Sequence, residues 1–146
     1  MSDIHTVVAR ALESVPYAQT LGVEPIFMGD EFTLRLPFSQ ENVGNPTLPA
    51  LHGGCIGGFM ELTAIAELVH LKNVSNIAVG EIGKLPKPIG INIDYLRRGR
   101  PVDTFARAVV FKKGSRVMNV RVQAWQDDYD RPIAALHGHY LISTEK

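Results

Sequence analysis

His52-Gly53-Gly54-Cys55-Ile56-Gly57-Gly58-Phe59-Met60-Glu61-Leu62-Thr63-Ala64-Ile65-Ala66-Glu67-Leu68-Val69-His70-Leu71 is the stretch whose reading decides the fold. Ile56, Phe59, Met60, Leu62, Ala64, Ile65, Ala66, Leu68 and Val69 fall on nearly every side of a 3.6-residue wheel. A helix that is apolar all round is buried. At 1.5 Å per residue it would run about 28 Å, the diameter of a small domain. Its polar ends and Gly-rich start argue against a membrane span.

Two features of this helix are chemical. It begins at Gly53-Gly54, where absent side chains let a ligand approach free backbone N–H groups that carry a partial positive charge. Such a start suits an anion or an oxyanion. Two turns on, Glu61 is the first ionisable side chain of the helix and is flanked by Phe59, Met60, Leu62 and Ile65. A carboxylate among apolar neighbours requires a reason, and a catalytic role supplies one. The plainer alternative is a surface Glu with Glu67 for company, but the two lie about 120° apart on the wheel and cannot share one narrow polar stripe.

Leu51-His52-Gly53-Gly54, with a carboxylate eight residues after the first Gly on a long buried helix, resembles the acyl-CoA thioesterases of the hotdog fold, in the subfamily named after the phenylacetate-pathway thioesterase. The resemblance runs in element order from about Leu21 to Ile142, supported by Asn92-Ile93-Asp94-Tyr95-Leu96-Arg97-Arg98-Gly99 and by Gly114-Ser115-Arg116. It implies an α+β hotdog: an antiparallel sheet of about six strands wrapped around one long central helix, with an N-terminal helix added.

Working outward, residues 39–51 form a polar loop with Gly44, Pro46 and Pro49 that delivers the chain to the helix. Before it, Val23 to Phe38 reads as a hairpin turning at Gly29-Asp30, with Phe32, Leu34 and Leu36 on one face and Pro25 suited to a sheet edge. Ile4, Val7, Val8, Ala11, Leu12 and Val15 predict an amphipathic N-terminal helix over 3–15, stopped by Pro16 and lying on the open edge or rim of the sheet. After the long helix, residues 72–87 read as a long connection, and its Glu81 as a solvated charge. Four strands follow, Ile89 to Leu96, Asp103 to Phe111, Met118 to Trp125 and Ile133 to Ser143, as an antiparallel meander.

The chain of 146 residues suits a single domain over 1–146. Lys and Arg number 15 and Asp and Glu 15, so no net charge points to nucleic acid or to an anionic membrane. A single cysteine, Cys55, excludes an internal disulfide and a Cys-based metal site and fits a reducing compartment. With no signal-like start at Met1 to His5, a cytoplasmic protein is expected.

In this neutral chain, Arg97, Arg98 and Arg100, and further on Lys112, Lys113 and Arg116, form local basic clusters suited to phosphate. The resemblance places the nucleotide and pyrophosphate of coenzyme A near these turns; solvated charge at strand ends is the alternative. His137 and His139 share one face of a strand, but no third ligand accompanies them, and a sheet-face role is favoured over a metal pair. Cys55, in the first helical turn, is a conceivable nucleophile and more simply a small filler. His52 is either a base or a residue that orients the incoming loop. In the resembled family a polar side chain of this loop, often Asn about six residues before the motif His, holds the carbonyl or the water. Asn45, seven before His52, is its candidate here and equally a turn residue before Pro46. Some relatives carry Ser or Thr where this chain has Pro88, so that hydroxyl is missing or supplied elsewhere.

The resemblance thus implies an acyl-CoA thioesterase that takes coenzyme A as part of its substrate and needs no metal or other cofactor. Gly53 or Gly54 N–H would polarise the carbonyl and Glu61 would act as nucleophile or general base. Because the family's helix start and carboxylate meet from different subunits, a homodimer or homotetramer is implied. A hotdog hydratase or dehydratase, and a non-catalytic acyl-CoA-binding protein, are the competing readings.

Overall fold

The computed structural model describes residues 2–28, 31–72 and 85–142. Helix α1 (Ser2–Glu13) is followed by α2 (Pro16–Leu21), then strands β1 (Glu24–Met28) and β2 (Glu31–Leu36). A short ribbon, β3 (Val43–Asn45) and β4 (Ala50–Leu51), leads into α3 (Gly53–Lys72), and β5 (Lys87–Tyr95), β6 (Thr104–Lys113), β7 (Val117–Trp125) and β8 (Ala134–Leu141) complete the chain. The Gly29-Asp30 turn, most of the 72–87 connection and Glu81 lie outside the described residues.

The six long strands form one antiparallel sheet in the order β1-β2-β6-β7-β8-β5, with α3 across its inner face. This is the hotdog arrangement the sequence led us to expect. Alternation along β7 puts Met118, Val120, Val122 and Ala124 inward, and on β8 Ala134, Leu136 and Tyr140 do the same. Ala106, Ala124 and Ala134 are successive cross-strand partners, all fully buried, and their small side chains leave room for the helix to lie close to the sheet. Phe59, Met60, Leu68 and Val69 of α3 are almost wholly buried in return. Truncating Phe59 to Ala would cost about 3–5 kcal/mol.

Four expectations need correction. Pro16 ends the first helix but also opens α2 at a first-turn position, where its missing N–H costs nothing. Gly22 then closes α2 with φ 70°, its N–H returning to the Ala18 and Gln19 carbonyls. The N-terminal helix packs chiefly on α3 and also against β1. Residues 39–51 are not a plain loop: they hold a 3-10 turn (Gln40–Asn42) and the β3–β4 ribbon. The strands after α3 are not a simple meander either, because β5 pairs with β8 and not with β6. Edge positions thus fall to β1, as Pro25 suggested, and to β5, on which Ile89, Ile91 and Tyr95 are exposed.

By length and hydropathy alone Gly53–Leu71 would pass as a membrane span, whatever its ends suggest. Most of it is buried within the fold, which makes it a core helix.

Candidate active site

The start of α3 is held from both sides. Leu51 N–H donates to the Gly99 carbonyl at 2.9 Å and His52 N–H to the Asn42 carbonyl at 2.8 Å, which ties the incoming chain to the turn after β5 and to the end of the 3-10 turn. His52 then acts as the helix cap. Its carbonyl accepts from Cys55 N–H at 3.1 Å and Ile56 N–H at 3.2 Å, and its Nδ1 accepts from Gly54 N–H at 2.8 Å. Of the two proposed oxyanion donors, Gly54 is therefore already engaged. Gly53 N–H has no acceptor among the described residues. With its Nδ1 lone pair used in this way, His52 is placed as the orienting alternative requires, and a base acting through Nδ1 would have to give that bond up.

Gly53, Gly57 and Glu61 are spaced four apart and line one stripe of α3. The two glycines face β5: a Cβ on Gly53 would sit 3.3 Å from the Tyr95 ring, and one on Gly57 would strike Ile93 Cδ1 at 2.9 Å. Glu61 is half-buried, and burial raises its carboxyl above the ordinary 4.5. Among the described residues no ion pair or side-chain hydrogen bond engages that carboxyl. The Tyr140 hydroxyl, buried and one strand in from Pro88, lies 3.4 Å from the Glu61 backbone carbonyl. Tyr140 was not singled out from the sequence, where its inward alternation with Leu136 was the available signal. Eight residues separate Gly53 from Glu61, about 12 Å along the axis, so within one chain they cannot meet the same carbonyl.

Cys55 is buried in the core and its thiol is pushed up to about 11 by that burial. It is a filler. Asn45 Oδ1 accepts from Thr47 N–H at 2.9 Å and Leu48 N–H at 3.3 Å, so its carbonyl is spent on the turn before β4. Glu67 is more perturbed than Glu61: its carboxyl reaches about 7, through burial first and the charge of Glu31 second. It lies 3.9 Å from His70 beside a cavity of about 480 Å³ lined by Glu31, Phe32, Arg107 and Lys113.

The basic clusters are not brought together. Arg97, Arg98 and Arg100 border the α3 start, where Gly99 packs on Ile56, and Gln126 holds the Arg100 backbone by both its N–H and its carbonyl. Arg97 and Arg98 each donate to a backbone carbonyl, of Pro132 and Leu48, and keep their charge unneutralised by any described acid. Arg100 is paired with Asp127. Lys112, Lys113 and Arg116 sit at the β6–β7 hairpin, a strand length of about 30 Å away at the other end of the sheet.

His137 and His139 are on the outer sheet face, rings stacked at 6.1 Å, with His137 also 5.3 Å from Phe111, over which Arg121 lies at 5.0 Å. The guanidinium so close by opposes a bound cation. Among the described residues no three His, Cys, Asp or Glu side chains are placed to hold a metal ion.

Among curated proteins none matches the chain. It is similar to a protein of known structure from Chromobacterium violaceum, at 34% identity over the whole of both chains with a TM-score of 0.68. A Bacillus halodurans protein crystallised with CoA has the same fold, at 20% identity over 99% of this chain and 94% of that one, TM-score 0.70. So does a phenylacetic acid degradation-related protein from Ralstonia eutropha, at 20% identity over 93% and 99%, TM-score 0.69. The model of one family, described as the thioesterase superfamily, matches residues 48–133, which span β4, the capped start of α3, Glu61 and the strands up to the threshold of β8. The chain, with its hotdog sheet wrapped on α3, belongs to the thioesterase superfamily, a membership that supports thioester hydrolase activity in general.

Proposed function

We propose that the protein is an acyl-CoA thioesterase that hydrolyses an acyl- or aryl-CoA ester to the free acid and CoA. The observation that carries this reading is the pairing, on one stripe of α3, of an unengaged Gly53 N–H with a half-buried Glu61 carboxyl that no described side chain neutralises. Gly53 N–H takes the developing oxyanion. Glu61 attacks the carbonyl carbon to give an anhydride that water then opens, or removes a proton from the attacking water; in both routes the thiolate of CoA leaves and is protonated. The Tyr140 hydroxyl stands where it can steady Glu61 in the absence of a hydroxyl at Pro88.

The 12 Å between donor and carboxylate along α3 supports a site shared by two chains. The exposed β5 edge gives a partner something to pair with, and a homodimer, or a pair of dimers, is the assembly we propose. Arg97 and Arg98, beside the helix start, are the better placed residues for the phosphates of CoA, and a CoA complex among the structural neighbours is in keeping with this. The chemistry calls on no metal.

The test is Glu61→Gln, which keeps shape and removes charge. It is expected to fold, bind CoA and lose at least about a hundredfold in kcat on a panel of short, long and aromatic acyl-CoAs with free thiol detection. Retention of most of the activity would sink the carboxylate mechanism. Thiol release from no member of the panel by the wild type, with CoA still bound, would identify a binding protein in place of an enzyme.

A further inference from the structure

Two of the hydrogen bonds at the helix start fall on the two ends of a single peptide group. The Gly53–Gly54 peptide gives its carbonyl to the Tyr95 hydroxyl, which donates at 2.7 Å, and its N–H to His52 Nδ1 at 2.8 Å. The preceding peptide carries the unengaged Gly53 N–H, and the direction of that N–H is set through the dihedrals of Gly53, the residue the two peptides share. Gly-Gly is the link in a chain that turns most freely, and first-turn N–H groups have no intrahelical acceptor to restrain them. The carbonyl of that preceding peptide is held by Cys55 and Ile56 N–H, so the freedom left at Gly53 is a tilt of one peptide against the other, which would shift the donor relative to the carbonyl it must meet.

Tyr95 is well anchored for that purpose. It ends β5, paired in register with Ala134, and the next two residues, Leu96 and Arg97, both donate their N–H to the Ile133 carbonyl, at 2.8 and 3.1 Å. The side chain lies against the two glycines of the α3 stripe, where a Cβ on Gly53 would come 3.3 Å from its ring and one on Gly57 3.3 Å from its hydroxyl oxygen. The glycines thus allow the contact, and the hydroxyl uses it. We propose that Tyr95 is a positioning residue: with His52 it clamps the Gly53–Gly54 peptide and so fixes the aim of Gly53 N–H, the inference resting on the reading of that N–H as the oxyanion donor.

Tyr95→Phe removes the hydroxyl and keeps the ring. With an acyl-CoA that the wild type turns over, kcat is expected to fall about tenfold, the worth of one neutral hydrogen bond, with KM within about twofold and melting close to wild type. A second measurement is independent of turnover. In ¹⁵N relaxation dispersion the Gly53 and Gly54 amides of Tyr95→Phe should gain millisecond exchange absent from the wild type, with the rest of α3 unchanged. Unchanged kcat and quiet amides, in a protein whose Glu61→Gln variant is inactive, would overturn the clamp and leave the thioesterase reading standing. A fall in kcat accompanied by an equal loss of CoA binding and of thermal stability would also overturn it, as a general structural role. Should Glu61→Gln stay active, the thioesterase mechanism fails and the amide exchange still decides the clamp.

Discussion

At the level of single residues, the roles proposed for His52 and Glu61 can be tested separately. If His52 serves as a cap acceptor, Asn, whose Oδ1 can take the place of Nδ1, should substitute for it. His52→Asn is expected to keep most of the activity and His52→Ala to lose about tenfold in kcat, because only the second leaves Gly54 N–H without its acceptor; equal loss in both would restore His52 as a base. For Glu61, burial disfavours the charged form, and the charged form is the one that attacks or accepts a proton. The rate at limiting substrate should therefore climb with pH through a midpoint above 4.5, and that limb should vanish from the residual activity of Glu61→Gln. Glu61 could be found from sequence because a lone carboxylate among Phe59, Met60, Leu62 and Ile65 is conspicuous. Tyr140 was legible only as a member of an inward face and Tyr95 only as a position on an alternating strand; which backbone atom each hydroxyl meets depends on how α3 lies over the strands. Asn45 and Cys55 gave the opposite difficulty, residue types fit for chemistry that the local turn and the core claim first.

Among the elements, α3 was the easiest to read and β5 the hardest. A wheel apolar on all sides has one physical outcome, burial. Alternation in Ile89 to Tyr95 fixes the two faces of a strand but says nothing about its neighbours, so the pairing of β5 with β8 lay beyond sequence patterning. The β3–β4 ribbon escaped because strands of three and two residues carry no period, and α2 because Pro16 was taken only as a stop. The far end of α3 carries a prediction of its own. Glu67 binds its proton more tightly folded, at about 7, than an ordinary carboxyl at 4.5. The folded state therefore loses stability as pH rises from 4.5 to 7 and carries the full deficit above that. Glu67→Gln should raise the melting temperature at pH 8, by an amount worth on the order of 2 kcal/mol, and the gain should shrink to nothing near pH 4. Chemical denaturation at the two pH values measures it; an equal effect at both would mean that the charge is not the cause. Groups facing Glu67 are Glu31, His70, Arg107 and Lys113, and the first three should be held constant in the comparison.

For the molecule as a whole, the proposed sharing of the site between two chains makes a quantitative claim. Gly53→Pro deletes the donor N–H at a helical position where proline is favoured, and Glu61→Gln deletes the carboxylate. Each should be inactive alone. Mixed and refolded together, they should regain about a quarter of wild-type activity, since half of randomly formed dimers are mixed and each has one intact site; no recovery would place donor and carboxylate in the same chain. Coenzyme A recognition is tested by replacing Arg97 and Arg98 with Ala. KM for the CoA ester should rise about tenfold or more, diminishing at high salt, while a thioester ending at pantetheine is little affected. Equal sensitivity would leave the arginines as surface charge. There remains the position of β5, an edge strand that among the described residues pairs with β8 alone. Its pairings reach from Tyr95 to Ala134 and from Lys87 to Leu141, while β6, β7 and β8 join through hairpins. Local hairpins close early and distant pairings late. During synthesis β5 emerges before any of them, yet it must wait, unpaired, until β8 has left the ribosome. The edge proposed to meet a second subunit is thus also the last to be secured in its own, so in the proposed dimer folding and assembly would compete for one edge, and nascent chains crowded on a single message are the setting in which that competition would be lost.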